Sequence, residues 1–391
     1  MGKWVKKKLG DLGFSFSGLS GKTIDDFGEG KPFIPYMNIF TNGKINSKQL
    51  EYVRIAENER QNKVEQGDWF FTTSSETPDE VGMTSVLVED IGEAYLNSFC
   101  FGFRLYDKSE FEPEFVSYLF RSLELRKKIS LFAQGSTRYN LPKQQMFNKL
   151  YISYPSSLSE QRRIASILSS ADKVIDSTQK LIAKYKQIKQ GMMEDLLKPK
   201  EGWKKVKLGE VGEILSGGTP STLNDKYWSG NVLFVTPLDL GRRNEINTTL
   251  RTISECGVNN SSANLITANS LAVSTRAPIG LMSIVTQNFT TNQGCKSVKF
   301  YEGQNNLFHF YNMTYNVEYI RRFGQGTTFM EISKTDFSNL EFLIPDISEQ
   351  CRIASILSSI DKKIESEEKV LEKYKNIKKG LMERLLKEEE V

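Results

Sequence analysis

The chain has 391 residues, 39% of them hydrophobic and 26% charged, with a formal net charge of +4. That composition suits a globular protein of two to four domains with real cores, and no apolar run is long enough for a membrane-spanning helix. Cys100, Cys256, Cys295 and Cys351 form no Cys-x-x-Cys pair, so neither a disulfide framework nor a zinc site is suggested, and with His309 as the only histidine neither a His-rich metal centre nor catalysis by a histidine pair can be assembled.

In chain order, Met1-Gly2-Lys3-Trp4-Val5-Lys6-Lys7-Lys8 carries no apolar signal segment, so a cytoplasmic location is expected. Gly21-Lys22-Thr23 has Phe16 where a phosphate loop needs glycine. Gln134-Gly135-Ser136-Thr137 is turn-like and leads into Arg138, Tyr139 and Lys143. A long helix is expected from residue 157, where Ser157 and Glu160 have capping-box spacing behind Pro155, and Pro199 follows its end.

The region from 199 to 345 returns the same punctuation. Trp4 and Leu9-Gly10 reappear as Trp203 and Leu208-Gly209, and Gln134-Gly135-Ser136-Thr137 as Gln325-Gly326-Thr327-Thr328. A second helix is expected over 346 to 391, opened by Asp346 and Glu349. Residues 159–198 and 348–387 align without a gap at an offset of 189 and match at 27 of 40 positions. A period of that length is a domain duplication, far above the 20 to 50 residues of solenoid repeats.

In the first helix Ile164, Leu168, Ala171, Ile175, Thr178, Ile182 and Tyr185 step by four and three, flanked by Ile167, Val174, Leu181 and Ile188. The second repeats this with Ile353, Leu357, Ile360, Ile364, Glu367, Leu371 and Tyr374. Spacing near 3.5 is the coiled-coil signature. A helix of about 39 residues spans ~58 Å, too long for one small domain to cover its stripe, so the two copies are expected to pair antiparallel. Thr178 and Glu367 interrupt the seam at matching places and are candidates for fixing its register.

Charge does not mark either globular region as a polycation: Lys and Arg number 20 against 20 acids in residues 1–158, and 14 against 13 in 199–347. Lys6-Lys7-Lys8, Arg126-Lys127-Lys128, Arg242-Arg243 and Arg321-Arg322 are local basic patches, each with a plain reading as solvated surface. No Pro-Pro occurs, which excludes the Asn-Pro-Pro-aromatic motif of adenine methyltransferases, and no Gly-x-Gly-x-x-Gly turn is present. The chain reads as non-catalytic.

The alternation of two variable regions with two near-identical helices resembles the DNA specificity subunits of type I restriction-modification systems. The resemblance rests on the Ser-Glu-Gln-x-Arg-Ile-Ala-x-Ile-Leu opening of each helix, running through Asp172 and Asp361. Ser216-Gly217-Gly218-Thr219-Pro220-Ser221, Tyr227-Trp228, Thr236-Pro237-Leu238-Asp239-Leu240 and Ser274-Thr275-Arg276-Ala277-Pro278-Ile279-Gly280 add to it. It implies an α+β fold: two similar α/β target recognition domains, 1–156 and 199–345, separated by conserved helices 157–198 and 346–391 that pair as an antiparallel coiled coil.

The resemblance further implies double-stranded DNA with a bipartite target, two methyltransferase subunits docked on the helices, and restriction/translocase subunits beyond them. S-adenosylmethionine, ATP and magnesium would sit on those partners, and this chain would bind no cofactor and no metal. A related methylation system without a translocating nuclease and a non-DNA coiled-coil scaffold remain as alternatives. Arg138, Tyr139 and Lys143 are the candidate DNA contacts of the first domain, and Thr219, Thr275, Arg276 and Gln325 those of the second. Arg suits guanine, Gln suits adenine, and Thr or Tyr commonly holds phosphate. Alignment of Ser74-Ser75-Glu76-Thr77-Pro78 with Ser274-Thr275-Arg276-Ala277-Pro278 puts Glu76 at the place of Arg276.

Overall fold

A computed structural model describes residues 3–324 and 331–387. In chain order it holds β1 (Trp4–Lys8), β2 (Gly13–Ser17), β3 (Phe27–Ile34), α1 (Tyr36–Thr41), β4 (Glu51–Val53), β5 (Trp69–Thr72), β6 (Ser74–Ser75), β7 (Thr84–Val86), β8 (Tyr95–Leu96) and β9 (Cys100–Leu105). There follow α2 (Pro113–Leu119), α3 (Leu123–Ser130), β10 (Tyr139–Asn140), α4 (Lys143–Lys149), β11 (Tyr151–Pro155) and the 40-residue α5 (Leu158–Leu197). The second region runs β12 (Lys204–Lys207), α6 (Leu208–Val211), β13 (Gly212–Ser216), β14 (Trp228–Val235), β15 (Glu245–Ile246), β16 (Arg251–Ile253), α7 (Glu255–Asn259), β17 (Ser270–Ser274), β18 (Met282–Val285), β19 (Phe289–Thr291) and β20 (Cys295–Phe300). It closes with α8 (Asn306–Tyr315), α9 (Val317–Arg322), α10 (Lys334–Ser338) and β21 (Glu341–Ile344), before the 39-residue α11 (Ile347–Leu385).

This α+β chain divides into two compact units, Met1–Gln179 with Val370–Val391, and Lys180–Lys369. Each unit therefore takes half of each long helix. In the first unit an antiparallel sheet runs β2-β9-β5-β7. Trp69, Phe71, Phe101 and Phe103 face one side of it, against α2, α4 and the start of α5, while Phe70 and Cys100 face a second cluster with Ile34 and Leu96. Both faces are covered, which explains why Trp69-Phe70-Phe71 is continuously apolar rather than alternating. Each fully buried ring contributes about 1.5 to 3 kcal/mol. At Gly102 a Cβ would stand 2.1 Å from the Phe16 ring, so a side chain there would displace that ring.

The second unit repeats the sheet as β13-β20-β17-β18, with β15 added beside β18. Leu271, Val273 and Val298 face α8 and the helix pair, and Ala272 and Cys295 face the opposite cluster. In both units a strand pair ties the region's entry to the root of its long helix, β1 with β11 and β12 with β21. The repeated Leu-Gly sits at this closure: Leu9 N donates to Leu150 O and Leu208 N to Leu340 O, each at 2.8 Å. A side chain at Gly10 would meet Phe147 O at 2.9 Å.

The long helices pair antiparallel in each unit. In the first, Ile164 and Leu168 share a core with Leu386, flanked by Leu381, Met382 and Leu385. In the second, Met193 and Leu197 pack with Ile353, Ala354 and Leu357, and Lys186–Glu368 (2.7 Å) and Lys189–Asp361 (2.6 Å) run in opposite directions along the two helices. The flanking row widens the stripe less than expected, because Val174 is exposed. Of the second capping box one half is made, with Asp346 Oδ1 accepting from Glu349 N at 2.9 Å, while Glu160 and Glu349 turn to Arg163 and Arg352.

Glu367 has the interhelical Lys186–Glu368 pair beside it. Thr178 returns its hydroxyl to Val174 O in its own helix, 2.8 Å away. Instead, Asp172 accepts from Tyr118 Oη (2.8 Å) and Lys378 Nζ (2.5 Å), and Asp361 accepts from Tyr311 Oη (2.6 Å) and Lys189 Nζ (2.6 Å). Each lysine also lies 5.5 Å from the centre of its tyrosine ring. The two clasps use equivalent residues. Burial, with the aspartate beside it, pushes both tyrosine hydroxyls up. Asp361 has a further donor in Asn244 Nδ2 at 2.5 Å.

Candidate functional site

Strand register aligns the two sheets residue by residue. Thr72 pairs with Cys100 as Ser274 pairs with Cys295. One residue beyond, Thr73 N donates to Phe99 O (3.1 Å) and Thr275 N to Gly294 O (2.8 Å). The next positions are therefore Ser74 and Arg276, which corrects the sequence alignment: Ser74, and not Glu76, occupies the place of Arg276. Across from them, Asn140 pairs with Ser74 and Glu331 with Arg276.

In the second region, the ends of β13 and β17 and the start of β20 bring polar residues together. Arg276 donates to Glu331 Oε2 from Nε (2.8 Å) and Nη2 (2.7 Å). Lys296 Nζ lies 3.3 Å from Thr275 Oγ1 and 3.7 Å from Glu331 Oε1. Burial lowers the pKa of Lys296, opposed by Glu331. Thr219 Oγ1 donates to Gln293 Oε1 on the adjoining loop, and the buried Oγ1 of Thr291 and Oδ1 of Asn292 have no hydrogen-bond partner.

Thr275, a candidate DNA contact from the sequence, is fully buried here, and its hydroxyl accepts from Lys296 Nζ. Arg276 is exposed and Thr219 half-buried. Gln325 lies outside the described residues.

The first region builds its cluster from a hairpin. Gln134 and Asn140 exchange backbone hydrogen bonds of 3.0 and 2.8 Å, closing the turn that carries Ser136, Thr137 and Arg138. Gly135 makes this turn at φ +137°, where a Cβ would stand 2.1 Å from Arg138 O. Arg138 is exposed and its Nε donates to Ser74 Oγ at 3.2 Å. Tyr139 is half-buried against the core, and Lys143 opens α4. Arg138 and Tyr139 thus meet β6, while Lys143 stands one turn beyond.

Many residues behind the sequence resemblance shape turns. Asp239 accepts from Thr236 N (2.8 Å), Thr236 Oγ1 (2.7 Å) and Leu250 N (2.8 Å). Ser274 Oγ donates to Pro278 O at 2.6 Å. Trp228 Nε1 donates to Ser221 O at 3.0 Å beneath the Arg251 guanidinium, 3.6 Å from the ring centre. Gln161 and Gln350, from the shared helix opening, are buried anchors. Gln161 accepts from Glu112 N (2.8 Å) and donates to Pro155 O (2.9 Å) and Glu110 O (3.1 Å), and Gln350 accepts from Asn305 N (3.1 Å) and donates to Pro345 O (3.0 Å).

Several residues of the basic patches have partners within the fold. Arg126 donates to the carbonyls of Gly82, Asp79 and Val81 at 2.6 to 2.7 Å, and burial pushes it down to about 10. Lys7 pairs with Glu110, Lys8 with Asp11, and Arg321 with Glu318 and Ile279 O. Arg242 and Arg243 are exposed. Among the described residues there is no cluster of His, Cys, Asp and Glu suited to a metal ion, and no helix long and apolar enough to cross a membrane.

Two equivalent sheets, each presenting a different set of polar loops and each rooted on a near-identical helix, are the pattern of a duplicated recognition module. Residues 1–187 and 200–376 both match the type I restriction modification DNA specificity domain. The chain belongs to that family. Each specificity domain here comprises one globular region and most of the helix that follows it.

Among relatives, the type I restriction enzyme MjaIX specificity subunit of Methanocaldococcus jannaschii is 31% identical over 191 residues, 46% of this chain and 43% of that protein. The putative MjaX specificity subunit of the same organism is 27% identical over 300 residues, 72% of this chain and 68% of that one. This chain thus spans less than half the length of the first relative. In fold it is similar to the S subunit of the type I restriction-modification system from M. genitalium, with a TM-score of 0.61 at 14% identity, covering 100% of this chain and 97% of that one.

Proposed function

We propose that this chain is the non-catalytic DNA-recognition subunit of a type I restriction-modification complex. The observation that carries this reading is the pair of equivalent sheet ends whose frames coincide and whose exposed side chains differ, as two readers of two different half-sites require. Residues 1–156 and 199–345 are the target recognition domains, and the helices 157–198 and 346–391 form their spacer and the docking surface for two methyltransferase subunits. Arg138, Tyr139, Lys143, Thr219, Arg276 and Gln325 are the proposed contacts to double-stranded DNA, and Thr275 acts behind them. Methyl transfer from S-adenosylmethionine belongs to the methyltransferase partners, and ATP- and magnesium-dependent translocation and cleavage to restriction subunits. The complex works in the cytoplasm.

Single-molecule methylation sequencing of a host expressing this chain with its methyltransferase subunit tests the reading. A new N6-methyladenine motif in two parts, with half-centres about one helical turn (~34 Å) apart, supports it. No new motif from a stable complex favours a scaffold. Inserting four residues in each helix adds ~6 Å of rise, so the gap is expected to grow by one or two base pairs; an unchanged gap refutes the spacer role.

A further inference from the structure

Two cations, one just past the end of β17 and one at the start of β20, turn to one carboxylate. Arg276 gives the Nε edge of its guanidinium to Glu331 Oε2, and Lys296 approaches Oε1 at 3.7 Å. The side chain of Lys296 is only 5% exposed, so it cannot reach a ligand, and without Glu331 its charge would stand buried and unpaired. Arg276 is the outward member, its side chain 55% exposed. With the Nε edge held, the Nη1 side points away from the carboxylate. A guanidinium fixed in this way has already lost the rotamer freedom that a free surface arginine loses on binding. Its remaining N–H fork has the geometry that takes O6 and N7 of guanine.

We propose that Glu331 is the positioning residue of the second domain's base reader. It pins Arg276 so that the free edge reads one guanine in the second half-site, and its charge offsets the pull of both cations on arbitrary phosphates. This inference rests on the DNA-recognition reading above. The first domain lacks every part of the device: the register puts Ser74 at the place of Arg276, Asn140 opposite it in place of Glu331, and Phe101 at the place of Lys296. That the three change together fits one electrostatic unit, because a buried lysine needs the carboxylate and the carboxylate orients the arginine.

The experiment is methylation sequencing of the full chain, co-expressed with its methyltransferase subunit, as wild type, Glu331→Ala, Glu331→Gln and Arg276→Lys. Arg276→Lys keeps the charge and loses the fork. Binding of the purified complexes to an unrelated duplex is followed against salt. Glu331→Ala and Arg276→Lys are expected to relax the same G·C position of the second half-site, with about 10-fold or greater loss of discrimination there. The first half-site and the gap stay unchanged and serve as an internal control for folding. Glu331→Ala is also expected to steepen the salt dependence of unrelated-duplex binding by about one phosphate contact.

Should Glu331→Ala yield no soluble complex, the isosteric Glu331→Gln decides, with the steeper salt dependence and a smaller relaxation at that position. A strict guanine position in the Glu331 variants, or relaxation at a position different from that of Arg276→Lys, overturns the inference. Failure of the wild type to give a two-part motif defeats the recognition reading instead.

Discussion

The two recognition regions share a sheet and differ in how each presents its arginine. In the first, Arg138 arrives from a hairpin loop and leans on the neutral hydroxyl of Ser74. In the second, Arg276 stands at a strand end and is clamped by Glu331 over a buried lysine. The position of that lysine is filled in the first region by Phe101, which stacks on Phe71 at 5.1 Å between ring centres. One buried position thus sets the local rule. An apolar side chain there leaves the arginine free to come from elsewhere, whereas a lysine there demands a carboxylate, which then fixes an arginine. The frame is held by backbone register and glycine turns, and the exposed contents follow from charge satisfaction.

The largest effect expected of a single substitution should be equal in the two regions. Gln161→Ala and Gln350→Ala each strand buried backbone groups at a helix root, at a cost of about 3 kcal/mol by urea unfolding. A neutral result at one root alone would break the equivalence of the frames.

The acid limb should separate the regions. His309 is buried in the second, stacked on Phe300 with ring centres 4.3 Å apart, and burial pushes it down to about 3. Its folded value lies below the unfolded one of about 6.5, so the unfolded state binds the extra proton between those limits. Stability contributed by the neutral ring is complete above pH 6.5 and lost as pH falls, at up to about 1.4 kcal/mol per unit. Melting of the wild type against His309→Gln between pH 7 and 5 should show that slope and its removal. An equal slope in the variant would assign it elsewhere.

A smaller asymmetry is expected at the clasps. Asp361 has three donors and Asp172 two, and Asp361 is the less exposed (20% against 40%). Asp361→Asn should therefore cost about 2 kcal/mol and Asp172→Asn about 1, by thermal melting. The reverse order would show that Asn244 adds nothing. Smallest is Ser74→Ala, which removes one neutral hydrogen bond to an exposed side chain and should change stability by less than about 1 kcal/mol. A larger loss would mean that Ser74 holds the hairpin as well as the arginine.

The duplication, the two helices and their antiparallel pairing were legible because they depend on periodicity and near-identity, which a single sequence displays. Asp172 and Asp361 were visible as repeated letters, but their lysine partners lie 206 and 172 residues away, and only the helix pairing brings them near. Thr178 drew notice as a polar residue in an apolar seam, yet a hydroxyl can satisfy itself within its own helix and so need not mark a contact. Lys296 and Glu331 gave no local signal, since charged residues in a strand and after a loop look like solvated surface. The misplacement of Glu76 has a simple origin: Ser-x-x-x-Pro occurs in both regions, but the strands before it end two residues out of step.

Unit division also bears on the order in which the protein can be made. Residues 180–369 form one unbroken stretch, whereas the first unit is assembled from both sides of it. Leu381, Met382, Leu385 and Leu386 close the core that holds Leu9 and Trp69, yet they leave the ribosome only after the entire second unit has emerged. The earlier-made half must wait, with Ile164 and Leu168 covered by the first region's own core but not yet by Leu386, while the later-made half completes itself, so the window for mispairing during synthesis is widest at the beginning of the first long helix.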